Sequence, residues 1–327
     1  MKDQDKKLVN YVKQVLEKKG RKALDLARMA VFEGSIYCEE VKKALEHFFG
    51  YWNDLARPAL ISICCEAVGG NSEITVPFAA SMTLICGATD VHDDIIDKSK
   101  TKLAHSTIYG KFGPDIALLV GDALLFKGFL ILQKANENIS TNKRMHIHKT
   151  FENLLFEIGN AEALELKFRR NMNVRPEEYL SLAKMKAADI EACARIGALL
   201  GDGTEKQIRA LGEFGRMLGT IIILRDDLAD TVDYKEAPYR FKNESLPLPI
   251  LFALRNSEVK PEISSILLKQ KIGRDDVKTI YRIVQKTKAF EKVEEIIEEM
   301  YITAFSSIKD IPFNKDLITL LTVAVTF

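Results

Sequence analysis

Apolar residues recur at spacings of three and four along almost the whole chain, and strict alternation is nearly absent. That period lines one face of a helix, so it selects a helical fold before anything else is read. Leu8, Val12, Val15 and Leu16 set it near the start, and Val293, Ile296, Ile297 and Met300 repeat it near the end with glutamates opposite. Both segments read as amphipathic helices. Between them the pattern predicts helices over 21–33, 36–48, 54–68, 73–98, 114–137, 142–171, 176–201, 204–235, 245–256, 260–270, 274–286, 288–306 and 314–325. Pro58, Pro114 and Pro176 stand at or just before helical starts, where a missing amide costs little. No strand-rich block, fixed-period repeat or low-complexity linker interrupts the series, so one all-α domain over 1–327 is expected. The segments around 73–98, 114–137, 142–171, 176–201 and 204–235 are apolar on more than one side, as inner helices of a bundle are. Chemistry carried on them would face a shared interior.

Composition narrows the function. With 47% hydrophobic residues, 18 Gly and 9 Pro in 327, the chain can bury a large core and is neither disordered nor collagen-like. Lys plus Arg number 47 against 46 Asp plus Glu, which excludes the general basic field of a nucleic-acid binder. The five cysteines, Cys38, Cys64, Cys65, Cys86 and Cys193, lie mostly in apolar runs without zinc spacing and are expected as reduced, buried thiols. The first twenty residues mix acids and bases and lack the apolar stretch of a signal peptide. The apolar runs 219–224 and 317–327 are too short to cross a bilayer. A soluble, cytoplasmic protein with no transmembrane segment is expected.

Two acidic motifs carry the chemistry. His92-Asp93-Asp94-Ile95-Ile96-Asp97 ends one inner segment and Arg225-Asp226-Asp227-Leu228-Ala229-Asp230 ends another, so the form D-D-x-x-D occurs twice. With 20 Asp in the chain, chance would supply one copy ~0.07 times and two copies in only ~0.3% of such chains. In each copy the first and last carboxylates share a helical face about 6 Å apart along the axis. Like charges stacked in an apolar interior repel unless a cation joins them. Oxygen ligands without His or Cys favour Mg²⁺, which keeps several waters and prefers phosphate, so a diphosphate substrate follows. Solvated helix-terminal acids are the alternative, and two copies inside apolar segments make it the poorer one. Calcium in an EF-hand is disfavoured, since neither copy has that loop.

With these motifs the chain resembles the polyprenyl synthetase family, the trans-type isoprenyl diphosphate synthases of the type I isoprenoid synthase fold, over nearly its whole length. The resemblance rests on HDDIID at 92–97, Gly121-Asp122, AEALEL at 161–166, Lys186 with Ala187-Ala188, RDDLAD at 225–230 and LPLPI at 246–250. It implies an antiparallel helical bundle with a central apolar substrate cavity, usually a homodimer, in which three Mg²⁺ ions hold an allylic prenyl diphosphate between the aspartate motifs. Asp93, Asp97, Asp226 and Asp230 would be the metal ligands; Asp94, Asp227 and Lys186 complete the implied catalytic set. The implied reaction ionises the allylic substrate, adds isopentenyl diphosphate and loses a proton. Lys186 and Lys102 would hold the allylic diphosphate. The small Ala88 and Thr89, about one turn before Asp93, leave room for a long prenyl tail.

The acceptor half departs from the family pattern. A GKRxRP motif, a histidine seven residues before the first aspartate and the second Arg of a downstream pair normally bind isopentenyl diphosphate. Here the stretch reads Asn53-Asp54-Leu55-Ala56-Arg57-Pro58, so Asp54 replaces the lysine and Arg57 alone survives. Cys86 replaces the histidine, and Lys102-Leu103 replaces the Arg pair, losing the isopentenyl-side cation. Alternatively Lys42, Lys43 or His105 supplies charge from another direction. Ile222-Ile223 stands for the family's Phe-Gln, and Arg240 or Lys242 replaces a later lysine. Asp90 is expected as a buried, paired acid or as a polar group of the pocket, His92 as a packing or supporting residue, and Tyr51 and Trp52 as core or interface aromatics. Three functions stand: chain elongation with isopentenyl diphosphate, cyclisation or transfer to another acceptor, and a regulatory subunit of a heteromeric synthase.

Overall fold

A computed structural model of the protein describes residues 3–34, 36–102 and 105–326; Leu103 lies outside the described residues. In chain order the helices are α1 (Asp3–Phe32), α2 (Glu39–Tyr51), α3 (Ala56–Ala67), a 3-10 turn at Ser72–Thr75 leading into α4 (Val76–Ile96), and α5 (Ile108–Asn136). They continue with α6 (Thr141–Phe168), α7 (Pro176–Lys186), α8 (Ala188–Leu200), α9 (Glu205–Val232), α10 (Ala237–Asn243), α11 (Leu248–Ala253), α12 (Lys260–Leu267), α13 (Arg274–Lys286), α14 (Ala289–Ile308) and α15 (Lys315–Thr326). A two-residue hairpin between α4 and α5 pairs β1 (Thr101–Lys102) with β2 (His105–Ser106), Lys102 opposite His105. The all-α expectation holds.

The chain divides into two compact units. One holds Met1–Thr150, Ala192–Leu211 and Asp310–Thr319; the other holds Phe151–Glu191, Gly212–Lys309 and Leu320–Phe327. In the first unit α4 lies along α5, and α1 crosses α3 and α4. Residues Phe78 to Ala88 of α4 are buried without a gap, which explains an apolar pattern with no polar face. In the second unit α11 packs on α7, α13 and α14.

Four boundaries differ from the sequence pattern. Gly20 does not end a helix: α1 runs through it, and a Cβ there would lie 2.6 Å from the Leu55 carbonyl oxygen, so the glycine serves close approach. The predicted 114–137 helix extends back to Ile108, but Gly113 at φ 83° kinks it and Pro114 opens its long second part. The predicted 176–201 helix breaks at Ala187, where Gly219 of α9 comes so near that a Cβ would stand 2.8 Å from the Ala187 methyl carbon. Helix α10 falls where 204–235 and 245–256 left a loop.

The segment Ser72–Ile96 is long and apolar enough, by length and composition, to cross a membrane, and 72% of its apolar 18-residue window is buried inside the protein, as a core helix is. Scoring uninterrupted apolar runs overlooks it because Ser81, Thr83 and Thr89 are scattered through it. Their hydroxyls donate to carbonyls of Gly128, Ala79 and Cys86, so burial leaves them satisfied. Among the cysteines, Cys64, Cys65, Cys86 and Cys193 are buried and Cys38 is exposed. Leu118, Leu119, Phe126 and Leu130 form an exposed apolar stripe on α5.

Candidate active site

In the first unit, α4 delivers the first aspartate motif at its C-terminal end. Asp93 is half-buried, Asp94 is buried, and Asp97 is the residue just past the helix, its N–H donating to the Asp93 carbonyl at 2.8 Å. Burial pushes the Asp94 carboxyl up to about 7; Lys102, with Nζ 4.0 Å away, opposes this, and Asp93 and Asp90 add to it. Beside it, His92 lies against Gly121, where a Cβ would meet Nε2 at 2.3 Å, and Nε2 stands 3.4 Å from Asp122. The Gly121-Asp122 pair therefore gives His92 its space and a neighbouring carboxylate, in keeping with the packing or supporting role expected of it.

A cavity of about 360 Å³ opens beside Asp94, lined by Phe48, Tyr51, Trp52, Asp54, Arg57, Asp90, Lys102 and His105. Asp54 and Arg57 are an ion pair at 2.9 Å. Trp52 donates its indole N–H to Asp90 at 2.9 Å and stacks on Phe48 at 4.9 Å between ring centres. Asp90 is thus both paired and part of the cavity wall. His105 also lines it, stacked on Tyr51 at 6.0 Å, whereas Lys43 pairs with Glu39 on the exposed side of α2. Sequence reasoning treated Tyr51 and Trp52 as core or interface aromatics; they are wall residues here. Buried Ala88 and half-buried Thr89, whose hydroxyl is turned onto the Cys86 carbonyl, sit one turn above Asp93.

In the second unit, α9 carries the other motif. Asp227 is wholly buried and fully engaged: it pairs with Arg240, accepts from the Tyr179 hydroxyl at 2.8 Å and accepts from the Leu248 N–H at 3.1 Å. Burial pushes its carboxyl up, and these three partners oppose that. Arg240 also pairs with Asp230 and reaches Glu244 at 3.6 Å. Desolvation works against the Arg240 charge, yet Asp227 and the other acids raise its pKa. Asp226 reaches solvent, but desolvation and then the Asp230 charge push its carboxyl up to about 6. Lys186, at the end of α7, pairs with Glu165 and lies 3.6 Å from Glu162, both in AEALEL; Ser245 donates to Glu165 at 2.8 Å. Burial would raise the Glu165 carboxyl, but Lys186 and Ser245 outweigh it and hold it below the usual range. Lys242 is half-buried on α10. Tyr179 and the Leu248 amide were missed by sequence reasoning, although LPLPI was the signal: its prolines place a helix start whose N–H is aimed at Asp227.

The donor set fits Mg²⁺. Among the described residues no three His, Cys, Asp or Glu side chains converge to hold a metal by themselves. Each motif instead holds one carboxyl that burial pushes up, Asp94 to about 7 and Asp226 to about 6, and an ion that keeps water and phosphate ligands would favour their ionised form.

Residues 38–284 match the polyprenyl synthetase family. The geranylgeranyl diphosphate synthase of Methanosarcina mazei is 31% identical over 210 residues, which cover 64% of this chain and 64% of that protein, under two thirds of its length. The geranylgeranyl pyrophosphate synthetase structure from Pyrococcus horikoshii Ot3 superposes with TM-score 0.85 at 24% identity, over 96% of this chain and 99% of that one. The polyprenyl synthase of Caulobacter crescentus CB15, solved with calcium and isoprenyl diphosphate, gives TM-score 0.82 at 20% identity, over 99% and 98%. These structures share the fold.

Proposed function

The chain belongs to the polyprenyl synthetase family, and on that premise we propose that residues 1–327 act as one Mg²⁺-dependent prenyltransferase domain of the polyprenyl diphosphate synthase type. It ionises an allylic prenyl diphosphate and condenses it with isopentenyl diphosphate to lengthen the chain. The supporting observation is the pair of D-D-x-x-D motifs, each with a carboxyl that burial holds at about 6 or 7. When bound, Mg²⁺ would supply positive charge that stabilises the leaving diphosphate.

Asp93 and Asp97 in the first motif and Asp226 and Asp230 in the second would hold the ions, and Lys186 and Lys102 would hold diphosphate oxygens. Lys186 is kept in place for this by Glu165, and Arg240 fixes Asp227 and Asp230. When the carbon–oxygen bond breaks, its electron pair leaves with the diphosphate; the isopentenyl double bond then supplies the pair for the new carbon–carbon bond, and a proton is lost. Ala88 and Thr89 leave room for the tail. The exposed stripe on α5 suits a second copy of the chain, giving a homodimer. A cytoplasmic location accords with the enzyme's water-soluble diphosphate substrates.

The test is to incubate the purified protein with Mg²⁺ and prenyl diphosphates of several lengths, with and without isopentenyl diphosphate, and identify the products. Longer diphosphates are expected. Hydrocarbons or alcohols formed without isopentenyl diphosphate would give the second reading, cyclisation or another acceptor, which the Asp54–Arg57 pair favours. Absence of any turnover would leave the regulatory-subunit reading.

A further inference from the structure

The cavity beside Asp94 contains its own anion. Asp54 Oδ2 accepts from the Arg57 guanidinium at 2.9 Å, and Oδ1 accepts from the N–H groups of Ala56 and Arg57 at 2.9 and 3.3 Å. Its side chain is only 11% exposed. A guanidinium and the first amides of a helix are the donors a phosphate group would take, and a carboxylate two or three residues away already has them. The rest of the wall adds no surplus of positive charge. Asp54, Asp90 and Asp94 line it together with Arg57 and Lys102.

We propose that Asp54 is a tethered competitor for the acceptor's diphosphate, and so a specificity-determining residue of the acceptor site. An incoming diphosphate gains the Arg57 N–H and the two helix amides that Asp54 holds only by displacing it, which lowers affinity for an anionic acceptor. A purely structural role, fixing the first turn of α3, is the competing account. The two differ in sign: loss of a structural contact loosens the site, whereas loss of a competitor tightens it. The inference rests on the acceptor half of the proposed function, but its primary readout does not need turnover.

Asp54→Asn keeps a carbonyl oxygen for the two amides while removing the charge, and Asp54→Ser offers a second acceptor at a helix start. Binding of inorganic pyrophosphate is measured by calorimetry without metal, alongside circular dichroism to verify helix content. Affinity is expected to rise about tenfold in Asp54→Asn, the size of one charge-assisted contact. The gain should disappear when Arg57→Gln is added, since the competition is for that guanidinium. In turnover assays the KM for isopentenyl diphosphate should fall by a similar factor while that for the allylic substrate stays within about twofold. Unchanged or weaker pyrophosphate binding in folded Asp54→Asn and Asp54→Ser overturns the proposal. A pyrophosphate gain with no product from any substrate upholds it and rejects the elongation reading; elongation with an unchanged isopentenyl KM does the reverse.

Discussion

Asp94 in the first motif and Asp227 in the second are both the middle carboxylate of D-D-x-x-D, and both are buried, yet their surroundings differ. Asp227 has a guanidinium, a hydroxyl and a backbone amide within bonding distance. Asp94 has Lys102 at 4.0 Å and two neighbouring acids that repel it, and its carboxyl stands at about 7. A buried charge is tolerated in proportion to the donors around it. Asp227 is therefore tied into its unit before any ligand arrives, while Asp94 lies beside a cavity with few donors and is pushed toward its neutral form. One sequence pattern gives a middle carboxyl tied into its unit in one place and a sparsely compensated one beside a cavity in the other.

Removing the anchor should have the largest effect. Asp227→Ala leaves the buried Arg240 without its main counter-charge and should cost about 3–5 kcal/mol of stability in urea unfolding. A loss below that of a routine surface substitution would break the contrast. Next, Asp93→Ala and Asp226→Ala should each lower turnover at least ~100-fold with the helical signal intact, because each removes a carboxylate from a proposed metal clamp. Near-normal turnover in either variant would withdraw that motif from the chemistry.

Lys186→Ala should cost about 1–3 kcal/mol in kcat/KM, and Lys102→Ala a comparable or smaller amount given its greater exposure. An unchanged specificity constant would remove either residue from the site.

The last effect concerns pH. Between its ordinary 3.8 and about 7, Asp94 is protonated in the folded state and ionised in the unfolded one. The unfolded state then binds fewer protons, so metal-free stability should fall as pH rises through that window. Asp94→Asn should flatten the dependence in unfolding curves at pH 5 and pH 8, and a slope identical to the parent's would show that Asp94 is already compensated.

Much of the architecture was legible from period alone, because α4, α9 and α14 carry enough apolar residues at helical spacing to set their own state. A helix start at residue 21 puts a break at Gly20 that α1 does not have, since glycine's local cost inside a helix says nothing of the Leu55 carbonyl packed against it. The break at Ala187 and helix α10 were invisible for the same reason: neighbours distant in sequence, not local propensity, decide them. At the site, repetition of D-D-x-x-D marked the carboxylates, and the loss of the family's acceptor lysine marked Asp54. Nothing in that stretch revealed that Asp54 would engage Arg57 rather than merely repel a ligand.

The sequence by itself determined a helical chain and the identity of two repeated acidic motifs, since both depend on residues within a turn or two of one another. Tertiary structure decided what each carboxylate became. Tyr179 reaches Asp227 across 48 positions and the Leu248 amide across 21, while Trp52 meets Asp90 across 38. Compensation of a buried charge depends on which donors folding brings to it, and no local spacing encodes donors that far away.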